Sequence, residues 1–215
     1  MQIRDVLKLA PVIPVLTVDK LEHAAPLAKA LYAGGLKVLE ITLRTSVALK
    51  VIEAMRIAVP EAIVGAGTLV KPADFASAAD AGAQFAVTPG LTPQLAEAAA
   101  EVSYPLLPGV ISPGEILQAL EFGYETLKFF PAQPAGGIPM LQAFAGPFAH
   151  VAFCPTGGIS RDSAPGFLKL RNVLCVGGSW VAPPALVESG DWAGIEALAR
   201  DAAALGVRSG CAAEN

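Results

Sequence analysis

Residues 21–44, LEHAAPLAKALYAGGLKVLEITLR, contain one complete structural repeat of this chain. Apolar residues recur at helical spacing from Leu21 to Leu31, and Gly34-Gly35 ends that helix as a C-terminal glycine does. The apolar run from Leu36 to Arg44 follows and is typical of a buried strand. A helix, a glycine joint and a strand of these lengths make up the unit from which parallel α/β folds are built.

The same unit recurs along the whole chain. Strand-like runs begin near residues 12, 36, 61, 84, 105, 126, 151 and 173, each with room for a helix before the next run. Eight such units predict a parallel sheet that closes into a (β/α)8 TIM barrel, as one domain over residues 1–215. A short helix from Ile3 to Leu9 precedes the first strand, and we expect a flexible tail over residues 208–215.

An open doubly wound sheet is the alternative to a barrel. Such a fold typically carries a nucleotide-binding glycine fingerprint after the first strand, and Thr17-Val18-Asp19-Lys20 does not resemble one. The repeat alone leaves this alternative open.

The composition narrows the class of protein. Apolar residues make up 53% of the chain and charged residues only 16%, which is below the usual quarter, so we expect apolar surface to be buried between subunits. The net charge is −4 and the fifteen basic residues are scattered, which argues against a nucleic-acid partner. The chain shows neither a long apolar run nor a leader, so we expect no membrane association and a cytoplasmic location.

The cysteines and histidines argue against a metal site. Cys154, Cys175 and Cys211 are too few and too irregularly spaced for a disulfide framework or a zinc site, and we expect buried free thiols. His23 and His150 are the only histidines and lie far apart. The sequence therefore predicts no metal site.

Residues 125–132, ETLKFFPA, place a single lysine inside an apolar strand. Burial disfavours the ammonium form of Lys128, and a neutral amine can attack a carbonyl group. Side chains alternate along a strand, so Thr126, Lys128 and Phe130 share one face. The alternative is a lysine at a strand end whose amine reaches solvent.

The second strand carries two charged residues on one face. Alternation groups Val38, Glu40, Thr42 and Arg44, and the intervening aliphatic side chains should face the helices. Glu40 and Arg44 would then point into the barrel or its mouth, where an unpaired carboxylate is costly. The alternative is a structural ion pair between these two side chains.

Glycines and prolines follow the next three strands. Residues 64–68, VGAGT, allow a small ligand to approach the backbone and leave Thr68 as a hydroxyl donor. Residues 88–90, TPG, and residues 108–110, PGV, form stiff turns that could wall a pocket, although such turns need no ligand.

Paired glycines follow the last two strands, in residues 154–160, CPTGGIS, and residues 175–180, CVGGSW. Each run follows an apolar strand and precedes a helix, so backbone amides and a helix N-terminus can point at one anion. Loops after strands seven and eight form the usual phosphate site of such barrels. A lysine, a carboxylate, an arginine and a phosphate site together indicate Schiff-base chemistry on a phosphorylated keto acid.

Five stretches together resemble the class I 2-keto-3-deoxy-6-phosphogluconate (KDPG) aldolases of the Entner-Doudoroff pathway, and the resemblance runs from Pro14 to about Arg200. The stretches are residues 39–45 LEITLRT, 64–68 VGAGT, 128–132 KFFPA, 153–159 FCPTGGI and 176–180 VGGSW. Gln133 stands where the family's usual acidic residue is expected.

The resemblance implies a carbon-carbon lyase that needs no cofactor, assembles as a homotrimer and cleaves KDPG to pyruvate and glyceraldehyde 3-phosphate. It implies that Lys128 forms the Schiff base and that Glu40 is the general acid/base. The residues that it assigns to substrate are Arg44 and Thr68 at the carboxylate, Pro89 and Phe130 along the pocket, and Thr156, Gly157, Gly158, Gly178 and Ser179 at the phosphate. The alternatives are a sister aldolase for the galactonate-derived substrate or for 4-hydroxy-2-oxoglutarate, and a barrel that serves as an assembly scaffold.

Overall fold

Strands alternate with helices throughout residues 1–205, the part of the chain that this computed structural model describes. Nine short strands lie in this part of the chain: β1 (Val12–Leu16), β2 (Val38–Thr42), β3 (Ile63–Gly67), β4 (Ala86–Val87), β5 (Leu106–Leu107), β6 (Gly109–Val110), β7 (Thr126–Phe129), β8 (Ala152–Pro155) and β9 (Val176–Gly178). The expected tail over residues 208–215 and the third cysteine, Cys211, lie outside the described residues.

The helices of residues 1–205 are α1 (Ile3–Leu7), α2 (Ala24–Ala33), α3 (Ala48–Ala58), α4 (Pro72–Asp80), α5 (Pro93–Ala100), α6 (Pro113–Glu121), α7 (Gly137–Phe144), α8 (Ala164–Leu168), α9 (Pro184–Ser189) and α10 (Trp192–Ala204). Proline, which suits a first helical position, opens α4, α5, α6 and α9. The side chains of Thr92 and Ser112 cap α5 and α6 by accepting hydrogen bonds from backbone amides. Helix α2 is preceded by one 3-10 turn, Leu21–His23.

All strand pairs run parallel, which confirms the predicted α/β class. One sheet has the order β5-β4-β3-β2-β1-β9 and a second has the order β6-β7-β8. A parallel bridge between Thr156 and Gly177 joins the ends of β8 and β9. The eight predicted strand starts each fall within a few residues of an observed strand.

The predicted fifth strand is divided in two. Leu106–Leu107 pairs with β4, and Gly109–Val110 pairs with β7. Pro108 separates them, and proline has no N–H to contribute to a ladder. A Cβ on Gly109 would also collide with the carbonyl of Pro89, so the backbone of the β4–α5 loop crosses close to this point.

Two apolar layers pack on opposite faces of the strands. Leu39 and Ile41 belong to the larger layer, between strands and helices, whereas Val38 belongs to a smaller inner layer. The alternation predicted for the second strand is therefore confirmed. Helix α1 contributes Ile3, Val6 and Leu7 to the inner layer, at the end where the strands begin.

Within residues 1–205, no helix combines the length and the apolar character that crossing a bilayer requires.

Candidate active site

Lys128 and Glu40 meet in the interior of the protein. Lys128 lies on β7 with 5% of its surface exposed, and Glu40 lies at the centre of β2 with 3% exposed. The distance from Nζ of Lys128 to Oε1 of Glu40 is 3.4 Å. The alternative of a lysine that reaches solvent is therefore wrong.

The amine of Lys128 also lies over an aromatic ring. Its Nζ is 5.2 Å from the centroid of the Phe130 ring, which is a favourable cation–π distance. Lys128 and Phe130 therefore lie on the same side, as alternation predicts. A carboxylate and a ring face are both in contact with a single buried nitrogen.

The glycines of β3 provide room for protein side chains. A Cβ on Gly67 would overlap Oε1 of Glu40, and a Cβ on Gly65 would overlap the ring of Phe85. The sequence suggested that these glycines admit a ligand, and that interpretation is wrong at these two positions. Gly67 instead gives the Glu40 carboxylate its place beside Lys128.

Arg44 does not pair with Glu40. It follows the end of β2, is exposed, and forms none of the salt bridges found within residues 1–205. The structural ion pair considered from the sequence is therefore wrong. Arg44 instead lines the mouth of a cavity with its guanidinium free of any carboxylate in the described chain.

A cavity of about 420 Å³ opens where the strands end. Seven of the nine substrate-binding residues predicted from the resemblance line it, namely Arg44, Phe130, Thr156, Gly157, Gly158, Gly178 and Ser179. Lys128 and Glu40 are not among the residues that line this cavity. Phe130 links the two places, because it lines the cavity and its ring lies 5.2 Å from Nζ of Lys128.

Thr68 and Pro89 are not among the residues that line this cavity. Pro89 lines a separate cavity of about 340 Å³, together with Leu69 and Leu91. Thr68 follows β3 and is half-buried, and its φ of 63° lies in the left-handed region. A threonine in that region costs roughly 1–2 kcal/mol relative to an ordinary backbone, so the fold holds Thr68 there against a local preference.

The two glycine loops lie side by side. A Cβ on Gly177 would overlap Oγ1 of Thr156, so the missing side chain lets the loops approach each other. The backbone N–H of Gly158 has no acceptor within residues 1–205. The next helices, α8 and α9, begin only at Ala164 and Pro184. Each glycine pair therefore precedes a helix, as predicted, but several residues separate the pair from the helix N-terminus.

Comparisons with known proteins show the family of this chain. The family described as "KDPG and KHG aldolase" matches residues 3–198. This chain belongs to that family. It is 52% identical over 198 residues to the KHG/KDPG aldolase of Escherichia coli, covering 92% of this chain and 93% of the relative.

Solved KDPG aldolases have the same fold. The enzyme from Legionella pneumophila, with pyruvate captured as a covalent carbinolamine, superposes with a TM-score of 0.92 at 46% identity, covering 94% of this chain and 98% of that one. The Zymomonas mobilis aldolase with 3-phosphoglycerate gives a TM-score of 0.89 at 47% identity, covering 94% and 95%.

Gln133, where the resemblance leads us to expect an acidic residue, lies beside the first glycine loop. Its backbone N–H donates to the carbonyl of Gly157, at 3.0 Å. A Cβ on Gly158 would lie 2.8 Å from the Cβ of Gln133. Gln133 therefore packs directly behind the loop, and Gly158 has no room for a side chain.

The sequence interpretation missed Thr17 as part of the site. Thr17 lines the cavity, and its Oγ1 is 2.9 Å from Oγ1 of Thr42. In the sequence, residues 17–20 were informative only in lacking a nucleotide-binding fingerprint. The available signal was a threonine directly after a strand, at the end where barrel sites lie.

The two described cysteines are buried free thiols, as predicted. Burial is the main cause that raises the pKa of Cys175 well above its usual range, and neighbouring Cys154 raises it further. Across residues 1–205, no cluster of three or more His, Cys, Asp or Glu side chains could hold a metal ion.

Proposed function

We propose that this protein is a class I aldolase that reversibly cleaves 2-keto-3-deoxy-6-phosphogluconate to pyruvate and glyceraldehyde 3-phosphate. The observation that carries the proposal is the buried contact between Lys128 and Glu40 at 3.4 Å, next to Phe130, which lines a cavity together with residues of the two glycine loops. Membership of the KDPG and KHG aldolase family supports the same reaction.

Lys128 is the proposed nucleophile. Glu40 is close enough to take a proton from its ammonium, which leaves a neutral amine that adds to the C2 ketone of the substrate. Loss of water gives an iminium, and this cation accepts the electrons of the C3–C4 bond as that bond breaks. The surrounding apolar strands exclude water from the intermediate.

Glu40 is the proposed general acid/base. Directly or through a bound water, it takes the proton of the C4 hydroxyl while C4 becomes the aldehyde carbon of the departing product. The enamine left on Lys128 is then protonated at C3, and water hydrolyses the resulting iminium to pyruvate. The small volume beside Gly67 keeps the carboxylate next to the reacting carbons.

Two separate contacts hold the ends of the substrate in this proposal. Arg44 and Thr68 bind the keto-acid carboxylate, for which the free guanidinium of Arg44 is suited. The left-handed backbone of Thr68 costs conformational energy, and such strain is common at functional sites, which supports a binding role for this residue.

The phosphate end lies at the glycine loops, where the unpaired N–H of Gly158 is available as a donor. Thr156, Gly157, Gly178 and Ser179 complete the proposed phosphate site, while Phe130 and Pro89 bound the pocket. Fixing both ends of the substrate positions its central carbons.

We further propose that the two sheets form one closed (β/α)8 barrel and that residues 1–215 are a single domain. The bridge between Thr156 and Gly177 supports closure on one side, and the chain passes from β5 to β6 through Pro108 on the other. Family resemblance and apolar composition support a homotrimer, and a metabolic aldolase of this kind is expected in the cytoplasm.

Trapping of the Schiff base tests the proposal. Sodium borohydride added with pyruvate should reduce the imine and leave a stable adduct on Lys128, which peptide mass spectrometry locates. The Lys128→Met variant is the matched control and should remain unmodified at this site. An unmodified Lys128 in the wild-type protein would remove the Schiff-base mechanism.

The choice among sister aldolases rests on the substrate. The Escherichia coli relative is named for both KHG and KDPG, which favours 4-hydroxy-2-oxoglutarate as a second substrate. A coupled pyruvate assay with KDPG, its C4 epimer and 4-hydroxy-2-oxoglutarate separates these activities. Absence of pyruvate from all three would favour a non-catalytic assembly role.

A further inference from the structure

A chain of two hydroxyls connects the cavity to the backbone of β1. Oγ1 of Thr42 donates to the carbonyl oxygen of Leu16 at 2.9 Å, and Thr42 is almost completely buried. Oγ1 of Thr17 lies 2.9 Å from Oγ1 of Thr42. Each hydroxyl has a single hydrogen. Since the Thr42 hydrogen is used on the Leu16 carbonyl, the hydrogen between the two threonines comes from Thr17.

This arrangement fixes the polarity of Thr17 toward the cavity. With its hydrogen directed at Thr42, its oxygen offers only lone pairs to a bound molecule. Carboxylate and phosphate oxygens are acceptors near neutral pH, so they are poor partners for such a group. A hydroxyl group of the ligand, which can donate, is the matching partner.

The position of Thr17 selects one hydroxyl of the substrate. Thr17 follows β1, which pairs with β9, and the same cavity wall includes Gly178 and Ser179 of the proposed phosphate site. The C4 hydroxyl gives its proton to Glu40 in the proposed reaction and belongs near Lys128. The hydroxyl next to the phosphate-bearing carbon is the one left for Thr17.

We propose that Thr17 is a specificity-determining residue that accepts a hydrogen bond from this hydroxyl, on the aldehyde half of the substrate. The proposal rests on the proposed aldolase function and extends it. It implies that the site distinguishes phosphorylated aldehydes by the presence of a hydroxyl beside the phosphate-bearing carbon.

The test uses the condensation direction, with pyruvate and two acceptor aldehydes. D-glyceraldehyde 3-phosphate carries the hydroxyl, and 3-oxopropyl phosphate lacks it. Thr17→Val keeps the shape of the side chain but removes the acceptor. We expect kcat/KM for glyceraldehyde 3-phosphate to fall about 10-fold, the value of one hydrogen bond, and kcat/KM for 3-oxopropyl phosphate to change less than about 2-fold. Thr17→Ser keeps the hydroxyl and should retain the wild-type preference for glyceraldehyde 3-phosphate.

Thr45→Val is the matched control. Thr45 also holds the β1–α2 loop, because its hydroxyl donates to the carbonyl of Val18 at 2.8 Å, but it does not line the cavity. A loop effect would change both aldehydes equally in this variant. If Thr17→Val also changes kcat/KM equally for both aldehydes, or leaves both values unchanged, the proposed role of Thr17 is overturned.

The two proposals fail in different ways. A wild-type protein that traps no pyruvate on Lys128 and condenses neither aldehyde overturns the aldolase function, and the role of Thr17 with it. A wild-type protein that condenses both aldehydes, with a preference that Thr17→Val does not alter, overturns only the role of Thr17.

Discussion

Lys128 and Glu40 form an ion pair that the protein holds almost out of contact with water. Removing one partner of a buried pair leaves the other charge uncompensated, which commonly costs about 3–5 kcal/mol. Alternation along two strands predicted that both side chains point inward, and the structure agrees. Their distance was not predictable, because it depends on how strands far apart in the chain are arranged around the inner layer.

Glu40→Gln separates the chemical role of Glu40 from its structural role. The amide retains the shape but cannot take a proton, so we expect cleavage to slow by roughly two to four orders of magnitude. Pyruvate trapping on Lys128 should persist at a slower rate, because water must then take the ammonium proton that Glu40 takes in the wild-type protein. The measurements are a coupled cleavage assay and mass spectrometry after borohydride reduction. Near-normal turnover would show that Glu40 is only a structural partner of Lys128.

Thr17 and Gly67 show what sequence patterns leave out at the scale of single residues. The importance of Thr17 depends on which hydroxyl donates to which, and only atomic positions give that order. Gly67 was expected to admit a ligand, yet it makes room for Glu40. In both cases the partner lies more than twenty residues away in the chain.

At the scale of elements, the sequence predicted where strands begin much better than where helices follow the glycine loops. Buried strands produce apolar runs that are readable directly. The segments before α8 and α9 form turns that hold no comparable pattern, so their length was not predictable. The division of the fifth strand follows from Pro108, whose missing N–H was visible in the sequence.

Tyr104 ties the segment before β5 to α4. Its hydroxyl donates to the carbonyl of Phe75 at 2.6 Å, and burial raises the pKa of Tyr104 to about 12. The folded state therefore requires the protonated phenol, whereas the unfolded chain ionises near the ordinary value of about 10. The stability that the protonated phenol of Tyr104 contributes is therefore fully present below pH 10 and is lost as the pH rises through 12.

Tyr104→Phe tests that contact. We expect the variant to be less stable by about 1 kcal/mol at pH 7.5, because one buried hydrogen bond is lost. The difference in unfolding free energy should shrink between pH 10 and 12, since phenylalanine does not ionise. Urea denaturation at several pH values measures both effects. The effects of other titrating groups cancel in this difference, because both proteins contain them. A difference in unfolding free energy that stays constant from pH 10 to 12 would contradict the raised pKa of Tyr104.

At the scale of the whole molecule, apolar side chains remain on the surface of the single chain. Ile57 is 80% exposed, Leu117 54% and Val70 53%. The low charged fraction predicted such exposure from composition alone. Composition could not predict which faces carry it, because that depends on the rotation of each helix about its axis.

Sedimentation tests the proposed homotrimer. Three chains of 22.0 kDa give about 66 kDa, and we expect that species at micromolar concentration. Added salt should not dissociate it, since contacts between apolar surfaces are not screened by ions. A dilution series is the control for weak association. A single species of 22.0 kDa throughout would contradict the proposal.

Helix α1 has a consequence for the order of events in the reaction. Because Ile3, Val6 and Leu7 fill the inner layer where the strands begin, that end is closed, and the proposed chemistry requires the substrate to reach Lys128 from the cavity end. The aldehyde is then released when the C3–C4 bond breaks, whereas pyruvate stays bound to Lys128 until its iminium is hydrolysed. Condensation runs in the reverse order, so pyruvate must form its Schiff base before the aldehyde binds. An aldehyde that occupies the shared opening first blocks pyruvate, so excess aldehyde should inhibit synthesis.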